Sequence, residues 1–359
     1  ANRSSTGAGS PPLPVNNTHR SPAVSITLTA GGRLPLSFIV LGLAALSVAA
    51  VVLAGRPDLL LLPAIHPHVV ALVHLWLPGF LLSVCLGAIY QLMPVVLGTP
   101  LAASAPPAWA HFILHTLGVI LLVAGFAAGR FTVVAVGGTL IALGSLLLLV
   151  ITWRTFHRSP RRDAVAWCFP LAVSWLAATT LSGVVFALNR HAPFIPASVL
   201  ALLCAHAHAG LAGFFLTLLQ GATFQLVPMF TLADLKRPQW ISAGLVLAQA
   251  GLLLLTVGHG GEIRMLTLGG ATLLAIGIAC SGVAFVATVH TRRRRLLEPG
   301  LRAFLGGALL TGFATLLGWS LLIGGTSSPS SLTTVYGILV IGGALSAMIL
   351  GMVCKIVPF

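Results

Sequence analysis

The sequence predicts an all-α protein, a polytopic membrane bundle of about ten transmembrane helices. Two observations lead to this fold class. Apolar residues fill 57% of the 359 positions and charged residues only 7%, whereas soluble proteins carry about 25% charged residues. The five carboxylates all lie between apolar runs and never inside one. This composition excludes a water-soluble globule, a carboxylate relay within the membrane and a hydrolase with paired carboxylates.

Each predicted helix is an apolar run of roughly 20 residues, because the hydrocarbon core is about 30 Å thick and a helix rises about 1.5 Å per residue. The predicted spans are residues 34–54, 68–97, 109–128, 131–153, 165–188, 197–230, 240–258, 265–289, 302–324 and 333–357. Residues 1–32 are rich in Ser, Thr, Pro, Asn and Gly, which predicts a disordered tail. Residues 33–359 then form the transmembrane domain.

Lys and Arg are distributed unequally between alternate loops. With the N-terminus inside, fifteen of them lie on the inner side and four on the outer side. The positive-inside rule therefore predicts a cytoplasmic N-terminus and tail, and so compact a chain suggests a bacterial inner membrane. The net charge of +14 is then an orientation signal, so we expect no nucleic-acid partner.

One motif occurs in the second predicted helix and again, with identical internal spacing, in the sixth. It comprises a histidine, two glycines eight residues apart, an aromatic residue followed by Gln-Leu, and a proline. Its matched positions are His74, Gly79, Gly87 and Pro94 in one helix and His208, Gly213, Gly221 and Pro228 in the other. The tenth helix carries a weaker copy with Ile338 at the histidine position. Copies four helices apart predict a four-helix unit used three times, at about 34–155, 165–290 and 302–359, the last incomplete.

The motif has a physical interpretation. Its glycines lie near one helix face, where either another helix or a flat cofactor can approach the backbone closely. Its proline is expected to end the helix at the inner surface. Each histidine precedes that proline by the same number of residues, which predicts equal depths for His74 and His208 in the outer half of the membrane.

Histidines at membrane depth are costly and often functional, although a neutral imidazole can simply bond two helices together. Two imidazoles at equal depth, His74 and His208, suit the axial ligation of haem b, because a neutral imidazole needs no counter-charge. His206 lies about 200° around the helix from His208, so it could ligate a second haem or a metal in the adjacent cleft. Cys204 shares the face of His208 and is a candidate copper ligand.

The remaining histidines are either further candidate metal ligands or solvated residues. His111 and His115 share a face of the third helix, but they lie near its inner end and should not meet His74. His66 and His68 flank Pro67 at the outer start of the second helix, and His259 is expected in an outer loop. Haem propionates would need partners at the outer edge, which Arg56, Arg190, His66 and His68 can supply.

Two families share parts of this pattern. His206-Ala-His208, followed by Gly221 and Pro228, resembles the His-x-His helix of haem–copper oxidase subunit I. In that family the second, sixth and tenth helices are the inner helices of a threefold-pseudosymmetric bundle, with haems nearer the outer side. The stretch from His74 through Gly98 is similar to the NnrS family of haem- and copper-containing membrane proteins linked to nitric oxide tolerance.

Departures from the oxidase pattern limit what the resemblance implies. The oxidases carry the His-x-His pair on the tenth of usually twelve helices, and the copper-binding histidine pair on the seventh. Only His74, His206 and His208 can be carried over as ligands. We therefore expect an electron-transfer or accessory subunit, working with other membrane subunits and lipid in a respiratory or nitrogen-oxide-handling complex. A cofactor-free structural or assembly subunit and a transporter are the alternatives.

Overall fold

A computed structural model describes residues 32–294, 296–325 and 330–356. Within these ranges the chain is almost entirely helical and contains no strand. Ten helices are long and apolar enough to cross a membrane. The predicted all-α, multi-pass bundle is therefore confirmed, whereas the predicted tail lies almost wholly outside the described residues.

The ten helices begin and end within a few residues of the predicted spans. They are α1 (Arg33–Gly55), α2 (Pro67–Leu97), α3 (Ala105–Ala127), α4 (Phe131–Arg158), α5 (Ala164–Arg190), α6 (Val199–Thr231), α7 (Pro238–Gly260), α8 (Arg264–His290), α9 (Pro299–Gly324) and α10 (Ser331–Ile356). Local signals set several of the starts. The side chains of Asp163 and Ser198 accept hydrogen bonds from the first turns of α5 and α6, as N-cap residues do.

Three helices, α2, α6 and α10, meet at the centre of the bundle. They surround an apolar cavity of about 40 Å³, to which α5 contributes one further side chain, Phe169. These are the helices that carry the repeated motif. The repeat therefore corresponds to packing around a common axis, with the motif helices innermost.

The motif glycines allow each inner helix to approach the helix before it in the chain. A Cβ atom added at Gly87 would lie 2.6 Å from the Pro35 carbonyl oxygen of α1, and one at Gly221 would lie 2.7 Å from the Cys168 Cβ of α5. Gly351 makes the same kind of contact with Phe304 of α9. Similar contacts at three matching positions support the four-helix unit.

The motif prolines do not end their helices, contrary to our expectation. Both α2 and α6 continue for three residues beyond the proline, since the fixed φ of proline is compatible with a helix. Each helix instead ends in a left-handed residue, Gly98 at φ 62° and Leu232 at φ 53°. The following amide then bonds to the proline carbonyl. The two caps stand at matching positions after their motifs, so the repeat extends to the helix ends.

All three inner helices widen into a π-helical turn immediately after the histidine position of the motif. The turns are Leu75–Leu82 after His74, Ala209–Leu216 after His208, and Leu339–Leu345 after Ile338. π-Turns are uncommon and occur often at functional sites. Their recurrence at one position draws attention to the histidines beside them.

Candidate cofactor site

His74 lies on α2 at the end of the bundle where α2 and α6 begin. Its Nδ1 atom is 2.8 Å from the Val70 carbonyl oxygen, so this nitrogen carries the proton and donates. Its ring packs against Phe126 of α3 at a centroid distance of 4.9 Å. The Nε2 lone pair therefore remains available to a ligand, the usual state of a histidine that binds metal.

His206 of α6 reaches towards α5. Its Nδ1 lies 3.0 Å from the Ser182 hydroxyl, which donates its own proton to the Thr179 carbonyl. Nδ1 must therefore be the donor, and Nε2 keeps its lone pair. Gly183 makes room for the ring, because a Cβ there would lie 3.2 Å from Cε1. His206 and His74 are each the eighth residue of their helix. We call the region between His74, with Phe126, and His206, with Ser182, the first cleft.

His208 faces a different neighbour. Its Nδ1 bonds the Cys204 carbonyl oxygen at 2.8 Å, and its ring stacks on His259 of α7 with centroids 5.2 Å apart and planes inclined by 21°. We call the space bordered by Cys204, His208 and His259 the second cleft. Nε2 of His259 is buried without a hydrogen-bond partner in the described structure.

The sequence matched His74 with His208, whereas in the structure His208 stacks on His259 of α7 and His206 bonds Ser182 of α5. Positions of repeat units that are related by rotation face equivalent clefts rather than the same one. His206, two residues from His208, lies on nearly the opposite side of α6. His259 was expected in a loop but lies in the last turn of α7.

His111 and His115 lie deeper along α3 and, as expected, contact a different part of α2 from His74. Each is 1% exposed. His111 Nδ1 is 3.0 Å from the Tyr90 hydroxyl, and His115 Nε2 is 2.9 Å from the Ser83 hydroxyl. These two metal-ligand candidates therefore bond α3 to α2. No pattern in the sequence indicated that Tyr90 has a histidine partner.

The candidates at the outer edge have partners of their own. Arg56 makes a bidentate salt bridge with Asp58, with its Nε 2.9 Å from Oδ1 and its Nη2 2.8 Å from Oδ2. The hydrogen bond from that guanidinium holds the pKa of the Asp58 carboxyl below its usual value. Arg190 lies over the Phe131 ring, 4.8 Å from its centroid. The His66 imidazole accepts a bond from the His68 amide. Arg56 is thus paired with a carboxylate, whereas Arg190 packs on an aromatic ring.

The upper motif glycines also contact the preceding helix. A Cβ at Gly79 would lie 3.3 Å from Ala45 of α1, and one at Gly213 would lie 2.6 Å from the Trp175 ring of α5. From the sequence alone, either a helix or a flat cofactor could adjoin these residues, together with Gly87 and Gly221. In the structure a helix takes that place for all four.

The described residues contain no group of three or more His, Cys, Asp or Glu side chains placed to hold a metal ion. The candidate ligands are therefore individual imidazoles on different helices, and axial ligation of a haem iron requires two of these. Comparison of the sequence with protein-family models and with curated proteins gives no match.

Proposed function

We propose that the protein binds haem b in the first cleft, between His74 and His206, and transfers electrons within a respiratory or nitrogen-oxide-handling membrane complex. The observation that carries the proposal is that two imidazoles stand eight residues into different inner helices, each with its Nδ1 proton held by a hydrogen bond. Both Nε2 atoms then keep a lone pair for the iron.

The residues of the first cleft fit this cofactor in chemistry. Both imidazoles are only partly buried, and Gly183 lets the His206 ring lie close to the backbone of α5. A bound haem b would supply reversible one-electron chemistry. The Val70 carbonyl and the Ser182 hydroxyl would fix the tautomer and ring orientation of the two ligands. Among the candidate propionate partners, Arg190 offers a cation that no carboxylate neutralises within the described part of the chain.

His208 belongs to the second cleft and is the candidate ligand of a second haem or of copper. The resemblance to haem–copper oxidase subunit I and to the NnrS family supports the same class of function. It also favours a role beside other membrane subunits over a complete oxidase.

Absorption spectra of the purified full-length protein, oxidised and dithionite-reduced, test the proposal. We expect a Soret band that shifts on reduction, with at least about a tenfold loss of haem in His74→Ala and in His206→Ala. His208→Ala should keep the haem of the first cleft, and His157→Ala on α4 serves as the surface control. If the haem is lost in His208→Ala and retained in His206→Ala, its ligands are His74 and His208. That result would refute the pairing of His74 with His206.

A cofactor-free structural or assembly subunit is the second candidate function. Two observations favour it: Ile338 replaces the histidine in the third copy of the motif, and the motif glycines contact helices. A purified protein without a Soret band, and without bound iron or copper by elemental analysis, would support this function and overturn haem binding.

We further propose a bacterial inner-membrane location with the N-terminus in the cytoplasm, from the excess of Lys and Arg in alternate loops. Reporter fusions after Arg162 and after Phe194 test the orientation. A cytoplasmic reporter should be active only after Arg162, and the opposite result would invert the topology.

A further inference from the structure

We propose that His115 is a positioning residue: through Ser83 it fixes the π-turn that follows His74, and with it the orientation of the His74 imidazole. The clause about the imidazole rests on the proposed haem function. The proposal that His115 fixes the turn does not rest on that function, because it concerns hydrogen bonds within the protein alone.

The first step is a hydroxyl group at the end of each π-turn. Ser83, Thr217 and Ser346 stand directly after the three turns and donate to the carbonyl oxygen five residues earlier. The bonds are Ser83 to Pro78 at 3.3 Å, Thr217 to Ala212 at 3.2 Å, and Ser346 to Ile341 at 2.7 Å. The hydroxyl thus bonds a carbonyl within each widened turn.

The second step is a donor from another helix that fixes each hydroxyl. His115 Nε2 lies 2.9 Å from Ser83, Gln249 Nε2 lies 2.9 Å from Thr217, and Trp76 Nε1 lies 3.0 Å from Ser346. His115 and Gln249 are equivalent positions of the first two repeat units, as are Ser83 and Thr217. The first two units therefore make the same bond, with an imidazole as the donor in the first unit and an amide in the second.

The third step concerns the proton of His115. In the second unit the Gln249 amide donates to Thr217, which donates to the Ala212 carbonyl. The same direction in the first unit makes His115 donate through Nε2–H to Ser83, which donates to the Pro78 carbonyl. Nε2 of His115 is then not a metal ligand. Pro78 makes this bond especially important in α2, because proline has no N–H to bond the His74 carbonyl one turn earlier. His115 and Ser83 are both buried, so water does not replace the bond.

The test compares His115→Leu with His115→Gln in the full-length protein, because glutamine is the residue that the second unit uses. Hydrogen–deuterium exchange of residues 75–82, measured by mass spectrometry, should be about tenfold faster in His115→Leu. His115→Gln should restore the wild-type rate. His111→Gln is the matched control, since His111 is equally buried on the same helix face but bonds Tyr90 beyond the turn. Ser83→Ala should behave like His115→Leu, and Ser83→Thr like the wild type.

The haem of the same samples provides the second measurement. The reduction potential and the reduced absorption spectrum should change in His115→Leu and return to wild-type values in His115→Gln. Unchanged exchange in His115→Leu, or failure of glutamine to restore it, would overturn fixation of the turn. Altered exchange with an unchanged potential would overturn the effect on His74. A wild-type protein without haem would refute the proposed function alone, because the exchange measurement does not depend on haem.

Discussion

Single buried polar atoms differ in how well the fold satisfies them. Thr155 on α4 donates to the Ile151 carbonyl at 2.7 Å and accepts the Ala102 amide at 2.9 Å. Thr152, three residues earlier, is equally buried at 0% exposure, yet its hydroxyl has no partner in the described structure. A buried polar atom without a partner costs about 1–3 kcal/mol of stability. Comparing Thr152 with Thr155 therefore isolates the contribution of one hydrogen-bonded hydroxyl to stability.

Thr152→Val and Thr155→Val should have opposite effects on stability. Valine has nearly the shape of threonine, so Thr152→Val removes an unsatisfied atom and should stabilise the protein by about 1 kcal/mol. Thr155→Val leaves the Ala102 amide unpaired and should destabilise it by about 1–3 kcal/mol. Thermal unfolding of the detergent-solubilised protein measures both. Equal shifts of the two melting temperatures would contradict the assignment.

At the scale of the helix, the same residue type serves two purposes. Gly87 lets α1 and α2 touch, whereas Gly282 of α8 has nothing within 4 Å of the place where its Cβ would be. The sequence shows both as glycines inside apolar runs, so it does not separate a contact glycine from an open one. The motif marked Gly87 correctly as a point of close approach, but the neighbour became known only when the helices were packed.

Gly87→Ala should therefore destabilise the bundle, and Gly282→Ala should not. The added Cβ at Gly87 would lie 2.6 Å from a backbone oxygen of α1, which α1 can relieve only by moving, at a cost of about 1–3 kcal/mol. At Gly282 alanine should give up to about 1 kcal/mol through its better helix propensity. Melting temperatures of the two variants provide the comparison. A stable Gly87→Ala protein would mean that α1 does not pack tightly on α2.

For the whole molecule, the parts predictable from sequence were those that depend on local properties. Length and apolarity predict the ten spans, and the repeat predicts the four-helix unit. The contacts of His206 and His208 were not predictable in this way, because they depend on the rotation of α6 against α5 and α7. The π-turns were missed as well. The matched spacing of Ser83 and Thr217, and of His115 and Gln249, was the available signal for their bonds.

Two cavities within the described bundle differ in their lining. A cavity of about 110 Å³ lies between α6, α7, α8, α9 and α10, and its polar lining includes Gln220, Gln249 and Ser281. A water needs about 10–15 Å³ of such space and two to four polar partners, so this cavity should hold water beside these polar side chains. The central cavity of about 40 Å³ is lined by apolar groups and should stay dry.

Two methionines of α10 allow the hydration of the two cavities to be compared. Met348 lines the larger cavity and Met352 the central one, and both are 4% exposed. Radiolytic hydroxyl labelling modifies side chains beside bound water, so Met348 should be oxidised several-fold faster than Met352. Gln220→Leu removes an amide that bonds Ser281 at 3.1 Å and should slow the labelling of Met348 alone. Equal rates at the two methionines would show that the polar lining holds no water, and that its hydroxyl and amide groups serve only to bond the helices together.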